Sequence, residues 1–247
     1  MARLKKNQVK HRTHARKPLP RKKRTSGGVG LIIGTLLAAV LIAAVALYLR
    51  PTTDGSSVIR SFDLTRLPVL GQADAPATLV VVEDFKCPAC RAFEQGVMPQ
   101  LISKYVDGGQ LKVASLTWPF LAKARNLPTD DSLLAAEAAG CVYNQLGSAG
   151  YNDFKKVLFG NQEDETTVWA TSDKLKALAS GLEKLDQPSF VTCLDSNAAR
   201  AQVQAQQKQV TAAGVTSTPS VFVNGQLMMP TFEALSAAID NVVPSTP

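Results

Sequence analysis

The sequence predicts an α/β protein, a mixed central sheet flanked by helices and carrying a helical insertion, preceded by a single transmembrane helix. Three observations predict it. A strand–helix–strand pattern occupies residues 78–117, a strand pair joined by Asn224-Gly225 and followed by a helix lies near the C-terminal end, and about 85 residues of helical pattern separate the two. Ahead of all three lies an uncharged run, Gly27–Leu49, that is apolar almost throughout from Val29.

The N-terminal quarter differs sharply in charge from the rest. Residues 1–26 hold eleven Lys or Arg and no acidic residue. The whole chain has 27 basic and 20 acidic residues, so residues 27–247 carry 16 basic against 20 acidic. The positive net charge therefore describes a short basic tail, and the larger part of the chain offers no electrostatic footprint for nucleic acid. Such a tail cannot bury enough apolar surface to fold, which predicts disorder. The run 27–49 is long enough to cross a hydrocarbon core of about 30 Å, for which about 20 apolar residues are needed. Eleven positive charges before it and Arg50 alone just after it orient the tail to the cytoplasm. The chain beyond the run is then extracytoplasmic, on the outer face of the cell membrane. A cleavable signal peptide ending near Ala44-Val45-Ala46 is the competing reading, but its apolar region would be typically about 7–15 residues. Residues 50–70, with Pro, Thr, Ser and Gly and no sustained periodicity, read as a linker, and residues 71–247 as one domain whose helical insertion spans about 130–213.

Within that domain the elements run in order. Thr78–Phe85 (TLVVVEDF) is a β-branched, largely buried strand. From Cys90 the apolar residues Phe93, Val97, Met98, Leu101, Ile102 and Tyr105 fall at helical spacing; Pro88 suits the first turn and Pro99 should kink the helix. Asp107-Gly108-Gly109 ends it. Leu111–Thr117 is a second strand, parallel to the first if the crossover is right-handed. Helices are predicted over 132–145 (capped by Asp130 or Asp131), 151–159, 172–182, 189–194 and 197–213. Ser220–Val223 and Gln226–Met229 flank the Asn-Gly hairpin turn, and 231–242 forms a closing helix. Trp118 and Phe120 are expected in the core.

The four cysteines all lie beyond the apolar run. In an oxidising compartment they allow two disulfides, and the spacing favours Cys87 with Cys90 and Cys141 with Cys193. Cys87 falls between a strand end and a helix start, where unpaired N–H groups and the helix dipole favour a thiolate. A low pKa makes it a good leaving group, so a disulfide containing it is readily attacked. Cys90, one turn on, can reach the same sulfur. Two other readings compete: half of a zinc site, which would need Cys141 and Cys193 as further ligands because both histidines (His11, His14) lie in the tail, and a purely structural short disulfide. Pro219, directly before a strand, is either an ordinary strand-leading proline or part of a constrained turn.

Cys87-Pro88-Ala89-Cys90 after TLVVVEDFK, with GVTSTPSVFVNG far downstream, resembles the thioredoxin superfamily. The insertion and the segment GQADAPATLVVVEDFKCPAC make it most similar to DsbA-like thiol–disulfide oxidoreductases, over roughly Leu70–Val243. The resemblance implies a thioredoxin fold and a cis Pro219 facing the cysteine pair. It also implies that Thr218 offers its backbone to an extended substrate peptide. Catalysis would run through Cys87 and Cys90 with no cofactor and no metal. Cys141 and Cys193, in two helices of the insertion, read as a structural staple closing a loop of about 50 residues, with a second redox pair that relays electrons, or two free thiols, as the alternatives. The partners would be exported proteins with free thiols and a membrane redox protein that reoxidises the dithiol, with the anchor in lipid and no nucleic acid bound. The alternatives are a membrane-linked reductase or isomerase, or a redox-inactive peptide-binding module. Two departures stand out. Many relatives carry an acidic residue six positions before the first cysteine, where this chain has Val81; Glu83 has the same strand parity and either substitutes or lies at the surface. Ala89 stands where better-known members have His or Tyr.

Overall fold

A computed structural model of the chain describes residues 59–243. The basic tail, the apolar run 27–49, the first part of the linker and residues 244–247 lie outside them. Among the described residues no helix is long and apolar enough to cross a membrane.

Five strands form one mixed sheet in the order β1-β3-β2-β4-β5. β2 (Ala77–Glu83) and β3 (Leu111–Thr117) are parallel, Val81 facing Ser115 and Glu83 facing Thr117. β4 (Ser220–Val223) runs antiparallel to β2, with Val82 opposite Ser220, and β5 (Gln226–Met228) and β1 (Val69–Leu70) form antiparallel edges. Strands covered on both faces read as continuous apolar runs rather than alternating ones, and β2 and β3 are buried along nearly their whole length.

The helix after β2, α1, covers residues 88–106. It begins as Pro88–Ala92, widens into a π-turn over Phe93–Val97, narrows at Met98–Leu101 and widens again over Ile102–Val106. The first wide turn ends just before Pro99, where the Met98 N–H reaches back to the Phe93 carbonyl. A proline has no N–H to give to the ladder, and the local widening accommodates it. The short α2 (Leu121–Ala124) comes after β3. The insertion holds α3 (Asp131–Gly160), α4 (Ser172–Ala179), α5 (Gln187–Asp195) and α6 (Arg200–Ala212), and α7 (Phe232–Asp240) closes the domain. Asp130, not Asp131, caps α3, accepting the Leu133 N–H at 3.2 Å. α3 is broken at Gly147, whose φ of 64° interrupts the helix between the two predicted over 132–145 and 151–159.

Side-chain parity on β2 sorts the core into layers. Leu79 and Val81 pack on one face with Phe93, Met98 and Leu101 of α1. Val80 and Val82 pack on the other with Leu116, Phe222 and Val210 of α6. A third cluster fills the insertion, built on Phe154, Leu158, Phe159, Trp169 and Phe190, and it includes Cys87 and Cys90. The cysteine turn thus belongs to the insertion's core.

Two expectations are corrected. Residues 59–70, read as linker, are packed onto the sheet: the Arg60 N–H bonds the Gly225 carbonyl at 2.8 Å, Phe62 lies 5.0 Å from Phe222, Leu67 is buried, and Val69–Leu70 pairs with β3. The contacts are with residues more than 40 positions away, so no local periodicity announces them. Their closeness also explains the turn: Asn224 (φ 46°) and Gly225 (φ 82°) both take left-handed conformations, and a Cβ on Gly225 would strike the Arg60 carbonyl. Trp118 and Phe120 lie at the margin of the core rather than inside it: both are half-buried, packed against the buried clusters and stacked on each other at 4.3 Å.

Candidate active site

The end of β2 and the start of α1 are joined by Asp84-Phe85-Lys86, which is buried. Both oxygens of the Asp84 carboxylate accept backbone N–H groups. One oxygen accepts the Lys86 N–H at 2.9 Å, and the other accepts those of Phe120 and Leu121, each at 2.9 Å. Its carbonyl accepts the Cys87 N–H. Lys86 is fully buried, with its ammonium 2.8 Å from Asp131 and 2.6 Å from the Thr167 carbonyl, over the Trp169 ring. Asp131 in turn accepts the N–H groups of Trp169 and Ala170. The loop after α3 adds Gln162, whose amide nitrogen donates to the carbonyls of Phe85 (2.7 Å) and Cys87 (3.1 Å).

Cys87 is the N-cap of α1, and its sulfur accepts the Cys90 N–H at 3.3 Å. It also lies 3.4 Å from the Thr218 carbonyl. Both thiols are free; Cys87 is 6% and Cys90 1% exposed. Their chemistry is split. The Cys90 thiol, hydrogen-bonding to the Cys87 sulfur, brings Cys87 down to about 6 against the opposition of burial, and the N–H groups of Cys90 and Ala89 add to the effect. Cys90 moves the other way, raised by burial first and by the Cys87 sulfur second.

Where the end of β2, α1 and α3 meet lies a buried ionic cluster. Lys155, from α3, sits 3.2 Å from Glu83 at the end of β2 and 3.0 Å from Glu94 of α1, with Ser115 at 3.2 Å. Glu83 is 1% exposed, so its surface reading is overturned: strand parity turns it inward, beside Val81's face of the sheet. Burial pushes the Glu83 carboxyl up to about 7, with Lys155 opposing and Glu94 reinforcing. Its charge also contributes to raising Cys90.

Residues 65–241 match the family described as Thioredoxin. The chain belongs to the thioredoxin family. It is 34% identical over 172 residues to the probable disulfide bond formation protein D of Bacillus cereus, covering 69% of this chain and 76% of that one. It is 29% identical over 161 residues to disulfide bond formation protein D of Bacillus subtilis, covering 65% and 69%. Among solved structures, oxidised BdbD from Bacillus subtilis superposes with a TM-score of 0.68 at 26% identity, over 75% of this chain and 97% of that one. A reduced disulfide bond oxidoreductase (DsbG) from Mycobacterium tuberculosis gives 0.63 at 27% identity, over 75% and 91%. This thioredoxin-family chain is a DsbA-like thiol–disulfide oxidoreductase.

Within the family fold, the structure brings Cys87, Cys90, Thr218 and Pro219 together at one end of the sheet, since β2 ends where the antiparallel β4 begins. The Thr218–Pro219 peptide is cis. The Thr218 hydroxyl is buried with no hydrogen-bond partner among the described residues. Cys141 and Cys193 stand apart from this site, bonded to each other between α3 and α5. Among the described residues no cluster of three or more His, Cys, Asp or Glu could hold a metal. Sequence reading missed Lys86, Asp131, Gln162, Lys155 and Glu94. Charged side chains normally stay exposed unless paired, and these find their partners far along the chain. The only available sign was that Glu83, Asp84 and Lys86 interrupt an otherwise apolar approach to Cys87.

Proposed function

We propose that this oxidoreductase is a disulfide-forming oxidase held at the outer face of the cell membrane, with Cys87 as the attacked sulfur and Cys90 as the resolving one. The observation that carries this reading is the placement of the two thiols: the Cys87 sulfur caps the start of α1 and accepts the Cys90 N–H at 3.3 Å, while Cys90 is buried one turn on, which holds Cys87 down to about 6 and raises Cys90. A thiolate stabilised in the dithiol form makes the disulfide the stronger oxidant, because reduction then releases a stable leaving group.

A substrate thiolate attacks the Cys87 sulfur of the Cys87–Cys90 disulfide, and Cys90 leaves as a thiolate. The high proton affinity of Cys90 draws in a proton, for which Glu83, the buried carboxyl whose charge acts on Cys90, is the carrier. A second substrate thiolate attacks the substrate sulfur of the mixed disulfide and releases the Cys87 thiolate. Two electrons have passed from substrate to dithiol, and a membrane redox partner removes them. Thr218, whose carbonyl lies against the Cys87 sulfur, presents backbone to an extended peptide by strand addition. The uncharged run 27–49 supports a single anchor with the basic tail in the cytoplasm and the domain outside. Exported proteins are then the substrates within reach.

Single mutants test the assignment. Cys90→Ala accumulates mixed disulfides through Cys87, whereas Cys87→Ala accumulates few; equal trapping, or none in either, overturns it. The direction is decided by the reduction potential. A value well above the roughly −270 mV of a thioredoxin-type reductant supports the oxidase, and one at or below it supports the membrane-linked reductase. Protease added to intact spheroplasts should digest the domain and spare residues 1–26; a protected domain sinks the outward orientation.

A further inference from the structure

We propose that Gln162 is a positioning residue for thiol–disulfide exchange, through which the helical insertion fixes the turn that carries Cys87. Its side chain reaches out of the loop after α3 and donates both amide protons across the domain, to the carbonyls of Phe85 and Cys87. These two carbonyls flank Lys86, which the insertion grips from the same loop and from α3, through Thr167 and Asp131. The turn is therefore held by main chain at Phe85 and Cys87 and by side chain at Lys86, each time from residues 131–167. The loop's own backbone is tied back as well, the Arg91 guanidinium of α1 donating to the Gln162 carbonyl at 3.1 Å.

Two features make Gln162 more than filler. Its donor capacity is fully used on the reactive turn, and neither bond is to another side chain. Its Oε1 is buried without a partner among the described residues, an arrangement that is costly for an acceptor. A side chain selected for packing alone would be apolar there. The geometry of the cap shows what the two bonds accomplish. Cys87 has the extended backbone of an N-cap (φ −76°, ψ 116°), which aims its sulfur back at the Cys90 N–H. Pinning the carbonyls on both sides of Lys86 limits rotation about those torsions, so the sulfur stays over the helix start. Donation into the Cys87 carbonyl also draws negative charge away from the sulfur's own peptide.

The proposal rests on the reading of Cys87 as the attacked sulfur, and its test separates the two. The measurement is the pH midpoint of iodoacetamide alkylation of Cys87 in the reduced full-length chain, with identical fold by circular dichroism. The charged groups around the turn are unchanged in each variant: Arg91 on α1, Lys86 and Asp84 in the turn, Asp131 and Lys155 on α3, Glu83 and Glu94 beside Lys155, and Glu163, Asp164 and Glu165 in the loop. In Gln162→Leu, or in Gln162→Met should the leucine variant fail to fold, the midpoint rises by about half a unit to one unit, leaving up to about fivefold less thiolate at pH 6. Gln145 is the control, because it makes the same kind of amide-to-backbone bonds, with Asp186, in an exposed part of the insertion. Gln145→Ala lowers the melting temperature without moving the midpoint. An unmoved midpoint in the Gln162 variants overturns the proposal while leaving the Cys87 assignment standing. A wild type in which Cys90 is alkylated first overturns the assignment itself. In the unaltered chain, the Gln162 side-chain amide protons should exchange slowly and shift as Cys87 titrates; rapid exchange with no shift also defeats the proposal.

Discussion

Cys141 and Cys193 lie in the bodies of α3 and α5, 52 residues apart in sequence and joined, while Cys87 and Cys90 are three residues apart at the start of α1 and free. Burial does not separate the pairs, since Cys141 and Cys90 are each 1% exposed. The difference lies in what the sulfurs meet. In the body of a helix the N–H groups are consumed by the ladder, and the Cys141 sulfur, inside the insertion's apolar cluster, has Cys193 as its partner. At a helix start the first N–H groups have no partner in the ladder, and Cys87 takes up that of Cys90. The insertion therefore contributes a cross-link in its own interior and a cradle at its border.

The comparison is most severely tested by removing the remote bridge. A cross-link spanning 52 residues is worth about 4 kcal/mol in the chain-entropy model. Cys141→Ala/Cys193→Ala should accordingly lower stability by that order in a denaturant titration, while oxidation of a dithiol peptide continues at near the wild-type rate. Loss of exchange with an unchanged melting temperature would make the second pair a redox relay.

Next in size is the difference in reactivity. With all four thiols reduced, alkylation at pH 6.5 should label Cys87 at least about fivefold faster than Cys141 or Cys193. A pKa of about 6 leaves most of Cys87 as thiolate there, against about 1% for an ordinary thiol near 8.5, and the lower intrinsic nucleophilicity of a stabilised thiolate takes back part of the advantage. Comparable labelling of Cys193, which is half-buried, would show that exposure and not the helix start governs reactivity. The sign is also fixed for stability. Because Cys87 is lowered on folding, its contribution to the reduced fold is present above the unfolded thiol's pKa and is lost as pH falls through about 6.

Much of this site is written locally. The strand Ala77–Glu83, the proline-led helix, the second strand Leu111–Thr117 and the Asn-Gly turn each declare themselves within a few residues, and the pairing of four cysteines is favoured by their spacing. Parity even makes Glu83 a candidate. The groups that hold the site are a different matter. Lys155 reaches Glu83 across 72 positions and Gln162 reaches Cys87 across 75, and such residues read as solvent-facing until the fold supplies their partners. The stretch 59–70 is illegible for a related reason: it is ordered by contacts with Phe222 and Gly225, not by any period of its own.

The smallest effect concerns Glu83, and it tests whether the cradle extends to Cys90. Burial, opposed by Lys155, brings this carboxyl up to about 7, above its unfolded value near 4.3. A carboxyl raised in this way contributes stability that is complete below the unfolded value and is lost as pH rises through the folded one. Glu83→Gln cannot ionise, and Glu94 remains to pair Lys155 at 3.0 Å. The variant should therefore gain on the wild type as pH rises from about 5 to 8, with the two closest at the acid end. Exchange should respond in the same window. The Glu83 charge is one of the lesser contributions raising Cys90, behind burial and the Cys87 sulfur, so removing it should change the rate at which Cys90 resolves a mixed disulfide by no more than about threefold, a fraction of one pKa unit. It should also flatten the pH dependence of that rate near neutrality. Carboxyl-carbon NMR of the wild type supplies the independent reading: a Glu83 resonance titrating near 4 would mean that the Lys155 pair holds the carboxylate ionised, and that the proton taken up by Cys90 comes from elsewhere.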